Sequence, residues 1–288
     1  MRTFRILLLS SRPLSWINTA FPFAFAYFAV SREITPQLIV GFIFFLIPYN
    51  FLMYGINDVF DYESDLRNPR KGGMEGALLP PELHRITVIA SSALVVPFLI
   101  PLIVWGTIES TGLLALSLFT VVAYSAKGLR LKEVPGVDSL TSSLHFVMPA
   151  LFGLALAGGE MTPLAIVATL AFFFWGMASH AFGAVQDVKA DRAAGVSSIA
   201  TVIGARGTVR VSILLYVLAG GLMLQTPWPL PLIALASVGY VAALAPYWFI
   251  TDDAADRANA GWRWFLGLNF AAGALVVLVV LELWRLNS

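Results

Sequence analysis

Nine apolar runs succeed one another along the chain, at 14–30, 38–56, 86–107, 111–126, 140–158, 163–183, 208–224, 230–250 and 262–284. Each approaches the roughly 20 residues that a helix needs to cross the hydrocarbon of a bilayer. The polar connections alternate in kind. Those at 31–37, 108–110, 159–162 and 225–229 are short and nearly free of basic residues, whereas those at 57–85, 127–139, 187–207 and 251–261 are longer and charged. The pattern predicts an all-α membrane protein of nine transmembrane helices, one polytopic domain over 1–288. Pro22, Pro97, Pro101 and Pro149 inside the runs, with Gly153, Gly176 and Gly183, are expected to bend helices or let them pack closely.

Composition agrees. With 58% hydrophobic and 12% charged residues and a mean hydropathy of +0.81, the chain has too little polar surface for a soluble protein of this length. A net charge of +1 gives no generally basic surface, so nucleic acid is not an expected partner. The absence of cysteine excludes disulfides, thiolate metal sites and cysteine nucleophiles. The opening MRTFRILLLSSRP resembles the start of a signal peptide, but Arg12 and Pro13 interrupt its apolar run too early, and it reads as an interfacial lead-in. Of the 18 lysines and arginines, 16 fall on the side of the long connections, and only Arg32 and Arg285 on the other. The positive-inside rule then puts the N-terminus and the long connections in the cytoplasm and the C-terminus outside, in a multi-pass protein of the plasma membrane.

Candidate chemistry gathers where two of these runs end. After the second comes NDVFDYESD, in which Asn57, Asp61 and Asp65 are spaced i, i+4, i+8 and would share one face of a continuing helix, with Asp58 one position round. After the sixth comes DVKAD, in which Asp187 and Asp191 also share a face. Two acidic helix ends facing one another repel unless a cation lies between them. Their separation by four helices suggests two four-helix halves around a central cavity, with the ninth helix added. Magnesium takes one or two protein carboxylates and shares a substrate phosphate, so Asn57, Asp58, Asp61, Asp65, Asp187 and Asp191 are candidate ligands for two such ions. Arg67, Arg70 and Lys71 follow the first motif, Lys189 and Arg192 lie in or beside the second, and Lys127, Arg130 and Lys132 form a third basic cluster. Acids with metals and bases around one vacancy describe a diphosphate site.

Other polar groups have less pattern behind them. Glu63, Glu75, Asp138, Asp252, Asp253 and Asp256 lie outside the two motifs and read as surface charges. Within the runs, Tyr54 lies three residues before Asn57, and Asn50 one turn earlier extends a polar stripe into the membrane. Asn18 and His145 are further polar groups in apolar runs, and His180 precedes Asp187 by seven residues on the same face. Such residues are costly in a bilayer and often functional, although a helix-to-helix hydrogen bond accounts for His180 equally well. Trp16, Phe21, Tyr49, Tyr54, Phe146 and Trp175 are candidates to line a cavity, with lipid-facing packing as the alternative for each.

These motifs resemble those of the UbiA-like intramembrane prenyltransferases, whose hallmarks are N-D-x-x-D-x-x-x-D after the second helix and D-x-x-x-D after the sixth. Asn57, Asp58, Asp61 and Asp65 match the first, and Asp187 and Asp191 the second. Tyr124 and Ser125 followed by Lys127, Arg130 and Lys132 fit a further family feature. Within the family, SSRPLSWINTAFPF, IPYNFLMYGINDVFDYESDLRNPRKGGMEGA and GAVQDVKADRAAGVSSIATVIGARG are most similar to the lycopene elongase branch of carotenoid synthesis.

The resemblance implies Mg2+-dependent transfer of a dimethylallyl group from its diphosphate to lycopene or a similar carotenoid. Asp61, Asp65, Asp187 and Asp191 are then the catalytic set, and two Mg2+ ions bind with the diphosphate. Asn18, Asn50, Tyr54, Tyr124 and His180 are expected at the prenyl or acceptor cavity, where aromatic faces would favour an allylic cation shielded from water. The spans are essentially free of buried basic residues, which favours an apolar acceptor, a carotenoid or else a quinone or chlorophyll precursor. The final cation loses a proton or captures water, with Asp191 or Asp65 as candidate bases. A secondary anion transporter is the competing class, but its binding groups belong near the bilayer midplane rather than at one face. A non-catalytic assembly subunit would have no use for intact metal motifs.

Overall fold

The computed structural model describes residues 2–66 and 78–286. Arg67, Arg70 and Lys71, expected as diphosphate ligands, lie outside the described residues, as does Glu75. All regular structure among the described residues is helical. The α-helices are α1 (Arg2–Ser10), α2 (Ile17–Ser31), α3 (Pro36–Leu46), α4 (Pro48–Phe60), α5 (Tyr62–Asp65), α6 (His84–Val104), α7 (Ile108–Ser125), α8 (Val137–Leu156), α9 (Pro163–Val185), α10 (Val188–Ala194), α11 (Ile199–Met223), α12 (Ala234–Leu244) and α13 (Ala258–Leu286). Eight helical stretches among the described residues are long and apolar enough to cross a membrane, against nine expected. The difference is α2, the first expected span, whose 15 residues reach about 22 Å at the α-helical rise, short of a ~30 Å hydrocarbon core.

The chain divides into two compact units. One comprises Met1–Lys132 and Leu144–Glu160, the other Glu133–Ser143 and Met161–Ser288, so that α8 contributes to both. In the first unit the second expected span is two helices, α3 and α4, broken at Ile47. Pro48 causes the break because it brings no N–H to the helical ladder. Asn50 repairs it: its Nδ2 donates to the carbonyls of Phe45 (2.7 Å) and Leu46 (3.1 Å), and to Thr19 Oγ1 (2.7 Å). Thr19 in turn donates to the Phe45 carbonyl at 2.7 Å, tying α2 to the joint. Asn50 is fully buried, so its position in the polar stripe has a structural use. Phe23, Phe44, Phe45, Tyr49 and Phe152 pack around this joint with ring centroids 4.8–6.1 Å apart. Helix α6 buries Thr87, Ser91, Val95 and Leu102 and exposes Ile89, Val96, Ile100 and Val104, the reverse of a soluble helix. Between helices in lipid, close packing and hydrogen bonds replace the hydrophobic drive.

In the second unit α9 lies against α11, and α11 against α12. Tyr216 and Tyr240 stack at 4.9 Å, and Trp262 on Phe265 at 4.6 Å. Trp175, a candidate for cavity lining, belongs to this cluster, 6.1 Å from Tyr240 and 6.2 Å from Phe265. Asp138 corrects an expectation: it is buried rather than a surface charge, and accepts from the backbone N–H groups of Ser139 (2.7 Å) and Ile199 (2.8 Å). It thereby satisfies an orphan donor in the first turn of α11. Helix α11 also contains a break at Gly204, whose φ of 75° and ψ of 166° are open only to glycine.

Candidate functional site

The first acidic motif straddles a joint. Helix α4 ends at Phe60, Asp61 stands in a turn with φ −98° and ψ −1°, and α5 follows. The expected helix is interrupted here, but its rungs persist: Asp61 N–H donates to the Asn57 carbonyl at 2.9 Å and Asp65 N–H to the Asp61 carbonyl at 2.8 Å. Asn57, Asp61 and Asp65 thus keep their register through a backbone region in which active-site residues are common. Asp61 and Asp65 are buried, and Asn57 is half-buried with its Oδ1 accepting from Ser125 Oγ at 2.9 Å.

Asp58 faces the chain's opening segment. Ser10 Oγ donates to its Oδ2 at 2.8 Å, and Arg12 Nη2 to its Oδ1 at 3.2 Å. Arg12 also lies 4.3 Å from the centre of the Tyr54 ring, a cation–π contact. Burial works against the Arg12 charge, yet Asp58, with Tyr54 and Asp65, holds the guanidinium above its ordinary pKa. Arg12 adopts a left-handed conformation, φ 50° and ψ 71°, a strain of about 1 kcal/mol for a non-glycine residue. Sequence reading missed Arg12 because its partner is 46 positions away.

The basic cluster after α7 returns to the same place. Gly128, with φ 95°, and Arg130, with φ 43°, turn the chain back on itself. Lys132 Nζ forms an ion pair with Asp61 Oδ1, and Arg130 Nη2 lies 3.8 Å from the same oxygen. Among the described residues, that buried oxygen has no hydrogen-bond donor beside these cations. Lys127 is exposed. Tyr124 is half-buried, its ring 5.2 Å from that of buried His145. Asn18 and Tyr54 are half-buried, and Tyr49 is fully buried, its hydroxyl bonded to Ser117 and the His145 carbonyl.

The second motif repeats the joint. Asp187 follows α9 with φ −97° and ψ −5°, and heads α10. Asp191 N–H donates to the Asp187 carbonyl at 2.9 Å. Both carboxylates are half-buried. His180, one side of α9 before them, pairs through Nδ1 with Ser139 Oγ at 3.1 Å. The basic residues of this motif turn to the 251–257 segment. Arg192 Nη1 donates to Asp252 Oδ2 at 2.6 Å, and Lys189 Nζ donates to the Asp253 carbonyl and lies 4.0 Å from Asp256 Oδ1. Asp252, read from sequence as a surface charge, accepts from the Ala205 N–H as well, at 2.7 Å.

The donor set of both motifs is all oxygen, carboxylate and amide, which suits a hard divalent cation. Among the described residues no three Asp, Glu or His side chains form a ready-made cluster for a metal ion.

Residues 19–270 match the UbiA prenyltransferase family. The chain is 50% identical over 286 residues to a lycopene elongase/hydratase of Corynebacterium glutamicum, covering 99% of this chain and 100% of that protein. It is 53% identical over 273 residues to the C(50) beta-cyclic carotenoids biosynthesis protein LbtBC of a Dietzia species, covering 94% of this chain and 63% of that protein. The fold is similar, with a TM-score of 0.66 at 19% identity, to a UbiA homolog from Archaeoglobus fulgidus solved with DMAPP and Mg2+, over 93% of this chain and 99% of that one.

Proposed function

Because this chain belongs to the UbiA prenyltransferase family, we propose that it is a Mg2+-dependent enzyme transferring a dimethylallyl group from its diphosphate to lycopene or a similar carotenoid. The observation that carries the acceptor is the 50% identity, end to end, with a lycopene elongase/hydratase. The spans add support, since among the described residues they offer no buried lysine or arginine to hold an acceptor carboxylate. The donor reading is supported by two acidic motifs built on the same joint, with Lys132 and Arg130 gathered at Asp61.

In this reading Asn57, Asp61, Asp65, Asp187 and Asp191 would hold two Mg2+ ions. When bound, these neutralise the diphosphate and make it a better leaving group. Lys132, Arg130 and Lys127 donate to diphosphate oxygens as the allylic C–O bond breaks, with Arg67, Arg70 and Lys71 as further candidates. Asp58 stays engaged with Ser10 and Arg12, holding the opening segment against α4. Tyr54 and Tyr124 present rings to the allylic carbocation. An acceptor double bond attacks that carbon, leaving a tertiary cation. It ends by losing a proton to a carboxylate, Asp65 or Asp191, or by adding water and releasing a proton. The N-terminus and both motifs face the cytoplasm in the plasma membrane.

Purified protein incubated with dimethylallyl diphosphate, lycopene and Mg2+ tests this directly. Prenylated carotenoid is expected, with one diphosphate released for each prenyl group added. Diphosphate release with a quinone or chlorophyll precursor but not with lycopene would reassign the acceptor. Mg2+-independent anion uptake into vesicles, with no diphosphate release, would make the chain a transporter.

A further inference from the structure

The break in α11 has two loose ends, and two residues from elsewhere take them up. In an unbroken helix the Ala205 N–H would donate to the Thr201 carbonyl. Gly204, at φ 75° and ψ 166°, separates them. The freed N–H donates to Asp252 Oδ1 at 2.7 Å, and the freed carbonyl accepts from Arg192 Nε at 3.1 Å and Nη2 at 2.8 Å. Arg192 Nη1 and Asp252 Oδ2 then close the circuit at 2.6 Å. An ion pair has been inserted into the severed rung.

The fit is close. A Cβ added at Gly204 would stand 3.0 Å from Asp252 Oδ1, so the glycine supplies both the backbone conformation and the room. As a partly exposed ion pair, Arg192–Asp252 would contribute little on its own. Here each partner also satisfies a backbone group that the break leaves without its helical partner, and the carboxylate meets the N-terminal end of the second α11 segment, where a negative charge is favoured. Arg192 directly follows Asp191 in α10, and Lys189, between the two aspartates, docks on Asp253 and Asp256 of the same 251–257 segment. Both basic residues of the motif are therefore spent on one segment, and α10 is held at two points.

We propose that the 251–257 segment is the brace of the second acidic motif, and that Asp252 is a positioning residue that sets Asp187 and Asp191 through Arg192. The proposal rests on the reading of those aspartates as ligands of a divalent cation. Asp252 touches no reacting atom in this account; it fixes the helix that carries the ligands. Residues that orient metal ligands typically change metal affinity by about 10–100-fold when altered.

The test compares Asp252→Asn, Arg192→Gln, their combination and Asp187→Asn with the full-length wild type in detergent. Mn2+ binding is followed by electron paramagnetic resonance without donor, and the Mg2+ half-saturation and donor KM are measured in turnover. Asp252→Asn and Arg192→Gln are each expected to weaken Mn2+ binding and raise the Mg2+ half-saturation about tenfold, with donor KM at saturating Mg2+ unchanged. The double variant should be no worse than either single one, since both serve one rung. Wild-type Mn2+ affinity in both single variants would overturn the brace. So would a raised donor KM with unaltered Mn2+ binding in Arg192→Gln, which would make that residue a diphosphate ligand. Asp187→Asn separates the two readings: if it alone loses Mn2+, the motif binds metal without needing the brace, and if it binds Mn2+ normally, the metal reading itself fails.

Discussion

Asp61 and Asp187 stand in the same backbone conformation, φ −98°, ψ −1° and φ −97°, ψ −5°, each in the joint between a long apolar helix and a short helical segment. In each case the residue four positions on returns its N–H to the aspartate's carbonyl, at 2.8 Å for Asp65 and 2.9 Å for Asp191. A joint of this kind ends a membrane helix without losing helical register, so the carboxylates stay in line where the apolar run stops. Two stretches with different sequences, NDVFDYESD and DVKAD, arrive at one local geometry.

If these joints hold the metal ions, Asp61→Asn and Asp187→Asn each remove a charged ligand while keeping its volume. Turnover is expected to fall at least ~100-fold in either variant, with membrane insertion and yield near wild type. Product formation by purified variants at saturating Mg2+ is the measurement. Wild-type rates in both would remove the metal from the mechanism.

Lys132 places its ammonium on Asp61, where the proposed ion would also bind. The two cations compete, and diphosphate is the anion that would draw the lysine away. Lys132→Met should therefore tighten Mn2+ binding in the absence of donor, and raise the donor KM about tenfold or more, the value of a lost charge-assisted hydrogen bond. Metal titration without donor and steady-state kinetics with it read the two effects separately. Parallel weakening of both would show that Lys132 supports the metal site rather than competing for it.

Asp58→Ala removes the buried partner of Arg12 and of Ser10. Breaking a buried pair costs about 3–5 kcal/mol; with the Arg12 side chain one-fifth exposed, the lower end is expected. The opening segment should become sensitive to limited proteolysis ahead of α2, and Arg12→Ala added to Asp58→Ala should do little further harm. Additive losses in thermal stability would disprove the coupling.

The way the tertiary cation ends is open to isotope labelling. If water captures it, product formed in H2(18)O carries one heavy oxygen per prenyl group added, visible by mass spectrometry. If a carboxylate removes the proton, the product carries none.

The sequence alone determined what depends on repetition and spacing. Apolar runs of membrane length need no partner to be recognised, because the bilayer imposes the requirement on each helix singly. Helical spacing likewise lined up Asn57, Asp61 and Asp65, and Asp187 and Asp191, since neighbours on one helix face are fixed by local geometry. Only the tertiary structure decided which charges are structural. Asp138 and Asp252 both read in the sequence as surface charges of a charged connection. Asp138 is buried on the first turn of α11, and Asp252 fills a gap opened by Gly204. Arg12 meets Asp58, and Lys132 meets Asp61, across 46 and 71 positions of chain. Such pairings carry no period, because they are set by where folding brings distant backbone, and a carboxylate's role follows from the partner it finds there.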